Sequence, residues 1–179
     1  MYRITKSRHI HFAHHVRGHR GACISIHGHT WKFEVTIEAD VLDAEGFVRD
    51  FADIRASVLE PCHRLLDHAL ALGEDTWRET EEVLAELGTR LVSSREHTMG
   101  GIGEIQSHFE GDLAGARNEL PGRTKVAVFP FAPTSERLAE WLYHLAQEAL
   151  SDDRVSVVCA RVYEALHPTE SVAEYWPSA

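Results

Sequence analysis

The sequence predicts an α+β fold, and three observations carry that prediction. Two stretches near the N-terminus alternate apolar and polar residues with the period of a strand, Val-rich stretches near the C-terminus read the same way, and between them apolar residues recur at three- and four-residue intervals. The order is β-β-α, an insertion, β, α-β-β, with no internal repeat, which suits antiparallel strands with helices on one face. The chain of 179 residues is read as one domain, 1–179, with an insertion at about 73–123. A domain of about 150 residues buries roughly 70% of its unfolded surface, so its core needs neither disulfide nor structural metal.

Residues 2–16 read as the first strand, with Ile4, Ile10, Phe12 and Val16 apolar and the register open around His14 and His15. After the turn-rich Arg17-Gly18-His19-Arg20-Gly21, a second strand covers about 28–41 and sets Trp31, Phe33, Val35 and Ile37 on one face. Gly46 marks a turn, and Asp50 or Asp53 caps a helix carrying Ile54, Val58, Leu59, Cys62, Leu65 and Leu66; Pro61 within it predicts a kink or an irregular turn. In the insertion, Trp77, Leu84, Leu87 and Leu91 have helical spacing, as do Ile105, Phe109 and Leu113, with a flexible Gly-rich stretch at 99–103 between them. Residues 125–131 predict a short strand. Thr134 caps a second helix with Leu138, Trp141, Leu142 and Leu145 as its buried stripe, and strands return at 154–165 and about 171–176.

The charge balance, 18 Lys plus Arg against 28 Asp plus Glu, excludes a general nucleic-acid binder, which needs a basic face against phosphates. No run approaches 18 apolar residues, so no membrane partner is expected. Cys23, Cys62 and Cys159 cannot form a complete disulfide set, and the first residues lack an uninterrupted apolar stretch; the expected compartment is the cytoplasm.

Histidine is the compositional anomaly: His9, His11, His14, His15, His19, His27 and His29 all precede Thr30. His27 and His29, two apart on a strand, point to one side, and an adjacent antiparallel strand carrying His15 brings a third imidazole beside them. Three neutral imidazoles with an open fourth position make a catalytic zinc site; a pair of ordinary surface histidines is the competing account. Cys23 precedes the pair by four residues and reads as a reactive thiolate beside the metal, a fourth ligand, or a buried apolar thiol. Asp67 and His68 are either an oriented acid/base pair or solvated charges at a helix end. Glu164, in an otherwise apolar strand, either receives paired hydrogen bonds from an amino-heterocycle or faces outward. Arg17, Arg20 and Lys32 are the basic groups near the histidines that a phosphate would meet.

Together these motifs resemble the 6-pyruvoyltetrahydropterin synthase and 6-carboxytetrahydropterin synthase superfamily. His11-Phe12-Ala13-His14-His15 is similar to its F-x-A-x-H strand with His11 in place of Phe, and Cys23-x-x-x-His27-Gly28-His29 matches the C-x-x-x-H-G-H of the carboxy branch. Gly46-Phe47-Val48-Arg49-Asp50-Phe51, Leu66-Asp67-His68, Pro133-Thr134-Ser135-Glu136 and Val162-Tyr163-Glu164 complete the order over about 8–72 and 126–166. Two features depart from the pattern: the Asn usual shortly after L-D-H is absent, and 73–123 is longer than most members have.

The resemblance implies the tunnelling fold, four antiparallel strands with two helices, assembled as a homohexamer of two stacked trimers with sites between subunits. It implies zinc held by His15, His27 and His29, Cys23 as general base, Asp67 and His68 as proton relay, and Glu164 anchoring a pterin with Thr134 near it. The implied reaction takes 7,8-dihydroneopterin triphosphate to 6-carboxy-5,6,7,8-tetrahydropterin, acetaldehyde and triphosphate, on a route to queuosine-type deazapurines. The alternatives are the pyruvoyl-type synthase, which does not break a carbon–carbon bond, and a non-catalytic pterin-binding protein of the same fold.

Overall fold

The structure is a computed structural model that describes residues 1–93, 107–167 and 170–177. Its elements are β1 (Tyr2–His14), β2 (His27–Ala39), α1 (Phe51–Ile54), a π-helical turn (Arg55–Leu59), α2 (Glu60–Leu66), β3 (Leu70–Gly73), α3 (Glu74–Ser93), β4 (Arg117–Glu119), β5 (Val126–Phe129), α4 (Ser135–Leu150), β6 (Val155–Ala165) and β7 (Ser171–Tyr175). The class is α+β. The chain separates into two compact units, Met1–Ile10 with His29–His63 and Thr134–Ala179, and His11–Gly28 with Arg64–Pro133.

The first unit is built on β2. It pairs antiparallel with β6 from Lys32 opposite Tyr163 to Ala39 opposite Val155, and β6 pairs antiparallel with β7. Trp31, Phe33, Val35 and Ile37 are completely buried, as their alternation predicts. Each such side chain contributes about 1.5–3 kcal/mol through removal from water. Against β6 and β7 packs α4, burying Leu138, Trp141, Leu142 and Leu145, with the Thr134 hydroxyl accepting the Arg137 N–H as its cap.

Asp50 caps α1 by accepting the Ala52 N–H at 2.7 Å. The irregularity expected at Pro61 takes the form of the π-helical turn just before it, where the Glu60 N–H reaches back to the Arg55 carbonyl. Proline has no N–H to continue the regular ladder, so widening the preceding turn accommodates it without breaking the helix.

The second unit carries the other pairings. β3 runs parallel to the end of β1, with Ala13 opposite Leu70 and His14 opposite Ala71, and β5 runs parallel to β3. Leu72, Trp77, Val126 and Val128 form its apolar cluster, with Leu70 and Leu84 packed against it. α3 meets the 3-10 turn Pro121–Arg123 at two glycines. A Cβ on Gly122, whose φ is +55°, would stand 2.2 Å from the Ala85 carbonyl oxygen, and one on Gly88 would stand 2.6 Å from that of Pro121. Only backbone without side chains fits so closely.

Three expectations are corrected here. The sheet has seven strands in the order β4-β5-β3-β1-β2-β6-β7, not four, and two of its pairings are parallel. β3 and β5 flank the insertion, and β4 lies within it. The helix anticipated from Ile105, Phe109 and Leu113 is absent over 107–116: Leu113 and Ala116 form a bridge, and Ser107, Gly111, Ala114 and Gly115 take positive φ, which no α-helix accommodates. Ile105 and the stretch 99–103 lie outside the described residues.

Candidate metal centre

β1 ends on the residue that opens the site. Ile10, Phe12 and His14 share one face of the strand and are all buried, whereas His15 falls on the opposite parity. His14 Nδ1–H donates to the Pro133 carbonyl at 2.9 Å, and His27 Nδ1–H donates to the Ser25 carbonyl at 2.8 Å. A carbonyl can only accept, so both rings carry their proton on Nδ1 and present a lone pair at Nε2. Those two Nε2 atoms face each other at 3.1 Å. At that separation a second proton on one ring makes a hydrogen bond between them, and without it the two lone pairs are turned to a shared cation.

On β2, His29 follows one residue beyond Gly28, and its Nε2 lies 3.7 Å from Glu164 Oε1. The other carboxylate oxygen of Glu164 accepts from the Ser135 hydroxyl at 3.4 Å. His14 with His27 in the second unit, and His29 with Glu164 in the first, are the residues that could hold a metal ion. Imidazole nitrogens suit zinc or another borderline divalent cation.

Of the expected trio of His15, His27 and His29, the structure sets His27 against His14 and His29 beside Glu164, while His15 turns elsewhere. His15 donates from Nδ1 to the Ile24 carbonyl at 2.8 Å and lines a mainly apolar cavity with Ile24, Ile26, Leu70 and Leu72. A signal for this was present in the sequence, since Ile10 and Phe12 set the buried parity and His14 continues it. Glu164, expected at the pterin, stands beside His29.

Cys23 sits in the 3-10 turn Ala22–Ile24, partly exposed, with its carbonyl accepting the Val16 N–H at 3.0 Å. Cys62 and Cys159 are buried, and burial pushes both thiols up from their ordinary range. Asp67 and His68 form a direct pair: His68 Nδ1–H donates to Asp67 Oδ2 at 2.9 Å, while Asp67 Oδ1 accepts the His11 N–H at 3.2 Å. The His68 ring is 82% exposed, so its other nitrogen meets solvent or an incoming group.

Thr134 uses its hydroxyl oxygen as the cap of α4, two residues before the Glu136 carboxylate. Among the basic candidates, Arg17 pairs with Glu79 at 2.7 Å, and Lys32 lies 3.8 Å from Glu34 and 3.5 Å above the Tyr163 ring. Arg20 is exposed. Sequence reasoning missed Lys125, a buried lysine beside the Asp67 backbone, whose pKa burial lowers to about 8.

The family model described as 6-pyruvoyl tetrahydropterin synthase matches residues 3–178. The 6-carboxy-5,6,7,8-tetrahydropterin synthase of Haemophilus influenzae is 25% identical over 178 residues, covering 98% of this chain and 99% of its own. The Bacillus subtilis protein of the same name is 36% identical over 70 residues, 38% of this chain and 45% of its own. Among solved structures, protein WS1659 of Wolinella succinogenes aligns with a TM-score of 0.69 at 23% identity over 99% of this chain and 98% of its own. A Plasmodium vivax 6-pyruvoyltetrahydropterin synthase aligns at 0.53 and 12% identity over 98% of each chain. These structural likenesses establish a shared fold, and with the match along almost its whole length the chain belongs to the 6-pyruvoyl tetrahydropterin synthase family, with curated relatives in its carboxy branch.

Proposed function

We infer that the protein is a zinc-dependent lyase that converts 7,8-dihydroneopterin triphosphate to 6-carboxy-5,6,7,8-tetrahydropterin, releasing acetaldehyde and triphosphate. The observation that carries this reading is the pairing of His14 with His27, their Nε2 atoms 3.1 Å apart, in a chain of this family that also sets His29 beside Glu164. His14, His27 and His29 hold the metal. Bound there, zinc supplies a Lewis acid that polarises the oxygens of the substrate side chain.

The remaining work falls to side chains. Cys23, on its exposed turn, takes the proton from carbon as general base. Asp67 fixes the His68 ring through Nδ1, so Nε2 is the atom that exchanges protons with the substrate oxygen. Ser135 orients Glu164, whose carboxylate receives the N–H groups of the pterin ring as a bidentate acceptor. Thr134 lies beside it, at the start of α4. Arg17, Arg20 and Lys32 are the triphosphate contacts of this reading, which an overall charge of −10 makes necessary at the site.

A homohexamer of two trimers, with sites completed between subunits, goes with this reading. The exposure of His68 supports it, because a relay imidazole works best shielded from bulk water and a neighbouring subunit would cover it. The absence of paired cysteines suits a cytoplasmic enzyme of deazapurine biosynthesis.

The test is to incubate zinc-loaded protein with 7,8-dihydroneopterin triphosphate and identify the products by mass. 6-Carboxytetrahydropterin with acetaldehyde supports the carboxy-branch reaction. The pyruvoyl product without acetaldehyde assigns the other branch, and binding without turnover assigns a non-catalytic pterin-binding protein.

A further inference from the structure

The Asp67 and His68 pair lies where α2 gives way to β3, and its backbone is held in an unusual way. His68 is not glycine, yet its φ is +58°, the left-handed region that β-carbon sterics disfavour. Such a residue persists only where its surroundings fix it. The His68 N–H donates to the His11 carbonyl at 2.7 Å, and the Ala69 N–H closes the turn onto the Leu66 carbonyl at 2.9 Å. These bonds fix one side of the turn. The other side presents the last carbonyls of α2, which have no partner within the helix.

Lys125 supplies that partner. Its ammonium donates to the Arg64 carbonyl at 2.6 Å and to the Asp67 carbonyl at 2.9 Å, and lies 3.5 Å from that of Ser107. The side chain is 6% exposed, so this is a buried cation spent wholly on backbone oxygens. Its own carbonyl accepts the Leu70 N–H at 3.0 Å, which ties the residue to both sides of the turn. Asn118 completes the frame by donating to the Leu65 and Val126 carbonyls at 2.8 and 3.2 Å.

We propose that Lys125 is the positioning residue of the Asp67 and His68 pair, its ammonium clamping the Arg64 and Asp67 carbonyls so that the His68 ring is presented with its proton on Nδ1 and its reactive nitrogen outward. Burying a cation is costly, and a buried lysine kept only to close a helix end would be replaceable by any neutral donor. Here the cation stands next to the segment whose side chains form the hydrogen-bonded pair. The proposal rests on the reading of that pair as a proton relay for its kinetic consequence, but not for its spectroscopic one.

The test uses the full-length, zinc-loaded protein with 15N-labelled histidine. The His68 signals are assigned by their loss in His68→Gln and observed at about pH 7.5, where an ordinary imidazole is mostly neutral. The wild type should show the Nδ1-protonated form. Lys125→Met, similar in length but without donors, should show mixed tautomers and a kcat lower by about 10- to 100-fold with KM within about twofold, the signature of a group no longer held in place. Lys125→Gln, shorter and able to reach fewer carbonyls, should fall between. It also carries the test if the Met variant does not fold. A purely structural lysine would lower the melting temperature and leave tautomer and kcat alone, so a wild-type His68 spectrum in either folded variant overturns the proposal. If His68→Gln turns over normally, the relay reading fails while the spectra still decide the role of Lys125.

Discussion

His15 donates its Nδ1 proton to the carbonyl of Ile24, 2.8 Å away, and so joins the end of β1 to the turn that carries Cys23. The neighbouring His14 faces His27 instead. Two adjacent imidazoles thus have different tasks, one in the ligand group and one bracing the thiol's turn. His14→Ala should lose bound zinc, whereas His15→Ala should keep it; metal content by mass spectrometry after dialysis reads both. Full zinc in His14→Ala together with loss in His15→Ala would restore the grouping expected from the sequence.

Cys23 should be the thiol that iodoacetamide finds first in the folded protein. Cys62 and Cys159 are buried, and burial disfavours their thiolates. Peptide mapping should recover one adduct, on Cys23, and turnover should disappear as it forms. Cys23→Ala should abolish turnover with zinc content and assembly intact; loss of zinc in that variant would make the cysteine a ligand.

Asp67→Asn keeps the shape of the pair but offers His68 a weaker and differently hydrogen-bonded partner. Turnover should drop by about 10²- to 10⁴-fold, the usual range for an acid/base group. Steady-state kinetics with unchanged zinc content would show it, and a change below about threefold would remove the pair from the reaction.

Lys125 gives the stability of the protein a defined pH dependence. Burial lowers its pKa in the folded chain from 10.5 to about 8. Between those values the unfolded chain binds the proton and the folded one does not, so stability rises with pH across that window. Relative to Lys125→Met, the wild type should gain up to about 3 kcal/mol from pH 8 to 10.5, and the difference should be flat below pH 7. Urea unfolding of both proteins at three pH values measures the contrast; a decreasing difference would contradict the sign.

Gly122→Ala should destabilise by about 1–3 kcal/mol or more, because the added carbon would overlap the Ala85 carbonyl and the positive φ disfavours it as well. Thermal melting with the catalytic parameters unchanged below the transition is the expected result.

The parts of this fold written in periodicity were the legible ones. Trp31, Phe33, Val35 and Ile37 announce β2 because a half-buried strand must alternate, and Leu138, Trp141 and Leu142 announce α4 for the corresponding helical reason. β3 was hidden because Leu70-Ala71-Leu72-Gly73 is too short to show a period, and β4 because Arg117-Asn118-Glu119 has no apolar residue at all. The histidine-rich character of the candidate site was legible, and which of two neighbouring histidines faces His27 was not. His14 and His15 offer the same side chain, and the choice between them depends on strand parity, which the flanking Ile10 and Phe12 fix. Lys125 left no signal, since its role depends on backbone oxygens brought to it by the chain's return from the insertion.

β4 has a consequence for how the molecule meets others of its kind. It covers the edge of β5, an otherwise wholly buried strand of Val126, Ala127, Val128 and Phe129, with three polar residues, and Arg117 is further engaged by Glu74 and Glu119. An uncovered apolar edge of that kind is a template for any passing strand. β4 therefore guards that edge against adhesion, and a chain trimmed of it would be expected to lose solubility before it lost its fold.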